Sequence, residues 1–250
     1  MEQNLKKQWI DVLLILFIFL FTASFPFSLF IHDDNITYIL NVSFRCAFLV
    51  FAYIYIYKVK LDFPKLKSLK KSSLKLLPFL IICFSNFLVC LITKSSVLSE
   101  FDGIDLLKSL FLVLLIAVGE ELVFRSLLFN QFRKTLSFLK SALFSSLIFS
   151  VIHLFNITGA DTIIPSLIQV VYSFGLGMIL CYMYETGQNY LLIIVFHFLF
   201  NFLNDYLVTF IYELNWDVWF YVINSCVGLV IIAYYLFCVF YLDKRNNDNV

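Results

Sequence analysis

The sequence predicts an all-α membrane bundle of about eight transmembrane helices, on three observations. The composition is 62% apolar and only 14% charged over 250 residues, with seven Gly and four Pro, far from the balance of a water-soluble domain. Apolar runs of roughly 20 residues, long enough to cross a hydrocarbon core of ~30 Å, recur along nearly the whole chain. Basic residues gather on alternate connections between these runs, as they do on the cytoplasmic side of membrane proteins. A single integral membrane domain over 1–250 is expected, with no soluble domain beside it.

The first run, Trp9 to Ile31, follows Lys6 and Lys7; it exceeds the length of a usual signal-peptide core and lacks a clear small-x-small cleavage site, so it reads as a retained helix. Further runs follow at Ile36 to Tyr57, Leu76 to Thr93, Ile104 to Phe132, Leu136 to Asn156, Thr162 to Tyr184, Asn189 to Ile211 and Val218 to Leu242. The fourth is the longest and most polar, and its lower end is expected to leave the membrane as an amphipathic turn. With eight crossings, all the basic residues except Arg45, Lys94 and Lys108 fall on one side, including Arg125 and the lysines from Lys58 to Lys75. The opposite connections carry Asp33, Asp34, Glu100, Asp102, Asp161, Glu213 and Asp217. Both termini are then cytoplasmic. The lysine-rich stretch reads as a topology signal, or as a site for anionic lipid heads or an acidic partner.

Six cysteines, Cys46, Cys83, Cys90, Cys181, Cys226 and Cys238, all lie in apolar runs and form no C-x-x-C pair, so they read as small buried residues with no disulfide or thiolate metal site. Gly175 and Gly177 are expected to let the sixth helix pack closely. The abundant Phe and Tyr are expected to face lipid or the interface. No repeat of the kind that marks inverted-repeat transporters is visible, and no nucleic-acid partner is expected.

Ionisable groups in hydrocarbon cost ~2.5–3.5 kcal/mol each, so each needs a partner or a task. They cluster here: Glu120, Glu121 and Arg125 in the fourth run, His153 in the fifth, His197 and Asn201 in the seventh. Glu121 and Arg125 are four apart and share a helix face, which allows a neutralising pair. Glu120 lies about 100° round the helix and is free to face the bundle interior. His197 and Asn201 are again four apart. At ~1.5 Å per residue, Glu120 and Asn201 stand about 18 Å above the inner interface, His153 about 24 Å and His197 about 12 Å. One layer near mid-membrane is compatible with all four, between helices 4, 5 and 7.

Three motifs therefore stand in order: Glu120-Glu121-x-x-x-Arg125, Phe149-x-x-x-His153 and His197-x-x-x-Asn201. Together, in separate transmembrane segments, they resemble the CPBP (or Abi) family of intramembrane peptidases, which groups CAAX-processing proteases with bacteriocin-processing and immunity proteins. The resemblance implies a catalytic core at about 104–211, with Glu120 and His153 activating a water and His197 and Asn201 stabilising the oxyanion. Glu121 and Arg125 would support the site. A carboxylate within reach of water is a competent general base, and preorganised donors aimed at an oxyanion contribute about 3–4 kcal/mol.

The family is often called metallopeptidase, and Glu120, His153 and His197 would suffice as three zinc ligands, with a fourth position for water. That assignment leaves no evident base unless a distant acid such as Asp205 serves, and the chain lacks H-E-x-x-H. A metal-free reaction is the expectation, with zinc as the alternative. The resemblance implies a membrane-embedded or lipid-associated peptide or protein substrate. Low Gly and very few Ala beside many Lys, Asn, Phe and Ile point to a bacterial cell membrane, and to peptide pheromone or bacteriocin maturation or immunity in preference to prenylated CAAX proteins. The rival classes are a non-catalytic regulator or immunity scaffold, which sequence does not separate from an enzyme, and a proton-coupled transporter, whose groups would form a ladder across the membrane.

Overall fold

The chain is seen here as a computed structural model, which describes residues 2–62, 90, 102–157, 163–187, 189–206 and 218–237. Among them it is all-helical, as required of backbone that must satisfy its own hydrogen bonds in lipid. Helix α1 (Glu2–Ser24) stops just before Pro26, whose ring disfavours helical geometry at Phe25; a 3₁₀ turn at Phe27–Leu29 reverses the chain. The first apolar run is thus broken seven residues short of Ile31. Helix α2 (Asp34–Val59) is capped by the Asp33 carboxylate, which accepts from the Ile36 N–H at 3.0 Å, and ends on Lys60 in the left-handed region at φ 57°.

Helix α3 (Gly103–Glu121) starts on the Asp102 cap and continues unbroken through a π-helical segment, Leu122–Phe129, into a last turn at Asn130–Arg133. Helix α4 (Phe138–Val151) tightens into a 3₁₀ turn at Ile152–Asn156. Helix α5 (Ile163–Gly187), helix α6 (Tyr190–Asn201, running into a π turn at Phe202–Tyr206) and helix α7 (Val218–Phe237) complete the described elements.

Among the described residues four stretches are long and apolar enough to cross a membrane: Asn4–Ser24, Asp34–Val59, Phe138–Asn156 and Ile163–Gly187. Tyr190–Asn204 and Ser225–Phe237 are apolar but shorter, and α3 carries Asp105, Lys108, Glu120 and Glu121 within its span. The run Leu76 to Thr93 lies outside the described residues apart from Cys90, as do the lysines from Lys65 to Lys75, Lys94, the cysteines Cys83 and Cys238, and Lys244 and Arg245.

The π segment of the fourth run is buried in protein at all eight residues, Arg125 included, whereas Asn130, Phe132 and Arg133 of the last turn are half-exposed. The aromatic residues, expected at lipid or the interface, are divided between the outer surface and the core. Phe17, Phe21 and Phe144 are exposed, whereas Phe19, Phe48, Phe124 and Phe149 are buried. The buried four form a continuous chain of ring contacts across α1, α2, α3 and α4, with centroids 5.1–5.7 Å apart, a spacing that favours edge-to-face aromatic packing.

The glycines of α5 behave as expected. A Cβ on Gly175 would lie 2.9 Å from Ile232 on α7, and one on Gly177 would lie 2.8 Å from Ser146 Cβ on α4. Helix α7 answers with Gly228, whose Cβ would come within 3.1 Å of the Tyr172 backbone. Without a hydrophobic drive between helices in lipid, such close approach is what van der Waals association requires. It holds α4 and α5 rigidly together beside the polar cluster on α3 and α6.

Candidate active site

Local structure delivers each polar group to the same place. Glu120 and Glu121 end the α-helical part of α3, His153 sits on the 3₁₀ turn that finishes α4, and His197 and Asn201 lie one turn apart on α6. Glu120, His153, His197 and Asn201 all line one cavity of about 250 Å³. Phe149, four residues before His153, is the wall between these groups. Its ring meets His153 edge-on at 5.3 Å and His197 at 5.8 Å, and the Arg125 guanidinium lies 4.2 Å from its centroid. Phe149 thereby spaces two imidazoles and takes a cation–π contact from the buried arginine.

His197 is the hub of the polar network. Its Nδ1 lies 2.6 Å from Glu121 Oε1 and its Nε2 lies 3.3 Å from Glu120 Oε2, with the imidazole only 1% exposed. Glu121 Oε1 is also 3.1 Å from the Arg125 guanidinium, and neither side chain of that pair is exposed. The expected pairing of Glu121 with Arg125 is present, but Glu121 is not committed to it alone. It also fixes the imidazole by one nitrogen and leaves the other turned towards Glu120 and the cavity. This link escapes the sequence because residues 76 positions apart carry no periodic signal of contact.

Other cavity residues were also beyond sequence reasoning. Arg45, which received no role, lines the cavity from α2 and donates from Nη2 to the Ala23 carbonyl at 3.2 Å. Asn156 and Gln169 line it as a hydrogen-bonded amide pair at 2.8 Å. Only Arg45 gave a legible signal, as a charge in the middle of an apolar run. His153 Nε2 is buried and has no protein hydrogen-bond partner among the described residues, which suits a nitrogen that serves a water or a substrate.

Among the described residues no three His, Cys, Asp or Glu side chains converge as a ligand set, and both nitrogens of His197 already face carboxylates. What the cluster offers is a carboxylate, two imidazoles and an amide around a space wide enough for water and part of a peptide. That set can accept a proton from water and donate to a developing oxyanion.

Residues 103–203 match the family model described as type II CAAX prenyl endopeptidase Rce1-like. Among curated proteins none matches the chain. The matched segment contains Glu120, Glu121, Arg125, His153, His197 and Asn201 in the three motifs that prompted the resemblance. All-helical structure, helices apolar enough to span a bilayer and a polar cavity buried among them agree with a protease of that kind. Residues 103–203 thus carry a segment similar to the Rce1-like domain, which belongs to the CPBP/CAAX protease family.

Proposed function

We propose that this protein is an intramembrane endopeptidase that hydrolyses a peptide bond of a membrane-associated peptide or protein with a water activated by Glu120. The observation that carries this reading is the convergence of Glu120, His153, His197 and Asn201 on one cavity. Glu120 takes the proton of the attacking water, His153 orients that water, and the new C–O bond leaves an oxyanion facing His197 Nε2 and Asn201. Donation from Nε2 requires an imidazole proton on that nitrogen, which it offers to the oxyanion. On collapse the C–N bond breaks, and the proton held by Glu120 passes to the leaving amine.

The active site belongs to one membrane domain of eight crossings with a core at about 104–211 and both termini in the cytoplasm. The natural substrates are peptide pheromone or bacteriocin precursors in a bacterial membrane. Comparison of membrane and secreted peptides from cells carrying the wild type or Glu120→Ala tests the activity. A precursor should accumulate in the variant, with its product missing. Identical peptide patterns would leave a non-catalytic regulator as the better reading.

No step of this reaction passes through a metal, so cleavage by purified protein should survive exhaustive chelation. Stoichiometric zinc in active protein, with activity lost on its removal and recovered on its return, would move Glu120, His153 and His197 into the ligand role.

A further inference from the structure

Immediately after Glu121, α3 widens. From Leu122 to Phe129 it is π-helical, a rare geometry that occurs mostly as single turns and often at functional sites. Since all eight residues are buried, a carbonyl displaced from the regular ladder has no water to turn to and must find a protein donor. Ser145 of α4, itself fully buried, provides one: its hydroxyl donates to the Phe124 carbonyl at 2.7 Å. Phe124 stands three residues after Glu121 and directly before Arg125. Above the motif, the Tyr190 hydroxyl of α6 donates to the Val118 carbonyl at 2.8 Å. Two neighbouring helices therefore grip the α3 backbone on either side of Glu120, Glu121 and Arg125.

We propose that Ser145 is a positioning residue of the site: by pinning the π turn at Phe124 it fixes Arg125 and Glu121, and through Glu121 the direction in which His197 Nε2 faces. This inference rests on the peptidase reading of the cavity. The chain of contacts is short. Ser145 holds the backbone beside Arg125, Arg125 and His197 share Glu121 Oε1 at 3.1 and 2.6 Å, and His197 Nε2 meets Glu120 at 3.3 Å. Ser146 is the natural control. It is equally buried, but its hydroxyl lies 4.0 Å from Cys181 Sγ and its Cβ fills the space left by Gly177.

The test uses full-length protein in detergent. Cleavage is measured on a synthetic copy of the precursor that accumulates with Glu120→Ala, and the imidazoles are followed by 15N spectra of histidine-labelled protein. Only three histidines are present, so the His32→Gln and His153→Gln variants leave the His197 signals assigned. Ser145→Ala removes the donor, Ser145→Cys keeps the shape with a much weaker donor, and Ser145→Thr keeps the hydroxyl. The Ala and Cys variants should lower kcat about tenfold, the scale of one lost hydrogen bond, with KM within about twofold. Their His197 Nδ1 resonance should move towards that of an unbonded imidazole. Ser145→Thr and Ser146→Ala should keep both kcat and the resonance.

Wild-type kcat and an unmoved His197 resonance in Ser145→Cys would overturn the proposal, as would a lowered melting temperature with the resonance unmoved. Should Ser145→Ala not fold, the Cys and Thr pair decides. Unchanged peptides in Glu120→Ala cells would instead remove the peptidase reading, and the 15N comparison would still decide whether Ser145 sets the orientation of His197.

Discussion

Purified Glu120→Ala should lose peptide cleavage by about 10²–10⁴-fold, the range that a positioned general base contributes, while its abundance in the membrane stays near that of the wild type. Glu120 is 8% exposed, faces the cavity and touches His197 only at 3.3 Å. Its removal leaves the tighter Glu121–Arg125–His197 core in place. His153→Ala should behave similarly, since His153 Nε2 gives no hydrogen bond to the described protein. His197→Ala should differ, because it takes a partner at 2.6 Å from the buried Glu121 and so lowers stability together with activity. The check is a cleavage assay on each purified variant beside its membrane yield and melting temperature. Normal cleavage by Glu120→Ala would sink the assignment. Equal loss of yield in all three variants would favour a structural role for the cluster.

Arg125→Ala should destabilise the protein by ~3–5 kcal/mol, the usual result of removing one partner of a buried ion pair. The guanidinium is fully buried, lies 3.1 Å from Glu121 Oε1 and stacks 4.2 Å from the Phe149 centroid. Alanine would leave a carboxylate in the bundle with His197 alone to answer it, and would open a cavity beside Phe149. Thermal unfolding in detergent should show a melting temperature well below that of the wild type. Arg125→Lys should lose less, since it keeps the charge but gives up the planar fork and the stacking. A double change, Glu121→Gln with Arg125→Met, should also lose less than Arg125→Ala, because no uncompensated charge remains. An unchanged melting temperature in Arg125→Ala would show that the pair does not hold the bundle together.

These two predictions differ in how far the sequence alone could carry them. Glu120 follows from helical spacing: with Glu121 and Arg125 on one face, the neighbouring carboxylate is left for another. The fate of Arg125 does not follow so directly. Counted as a basic residue near the end of a long apolar run, it looks like part of the cytoplasmic charge. The bundle draws it inward, because the π turn and the packing of α4 wrap the whole of Leu122–Phe129 in protein. Aromatic residues show the same limit. Phe19 and Phe21 are both apolar residues of α1, yet one is in the core and the other faces outward. In lipid both surroundings are apolar, so hydropathy does not separate them; only the contact partners do.

By itself the sequence determined the class of this protein and the identity of its polar groups. Long apolar runs allow only helices in a membrane, and carboxylates, histidines and an amide within them are too costly to be incidental. Periodicity further paired Glu121 with Arg125 and placed His197 and Asn201 on one stripe. Tertiary structure alone decided which atoms meet: His197 between two carboxylates, Phe149 as the wall shared by both imidazoles and Arg125, Arg45 at the cavity, and Ser145 on the Phe124 carbonyl. The physical reason is one of range. Helical periodicity governs neighbours three or four residues apart on one segment, whereas contacts between segments depend on how each helix is rotated, and that is set by the glycines, rings and hydroxyls of its neighbours.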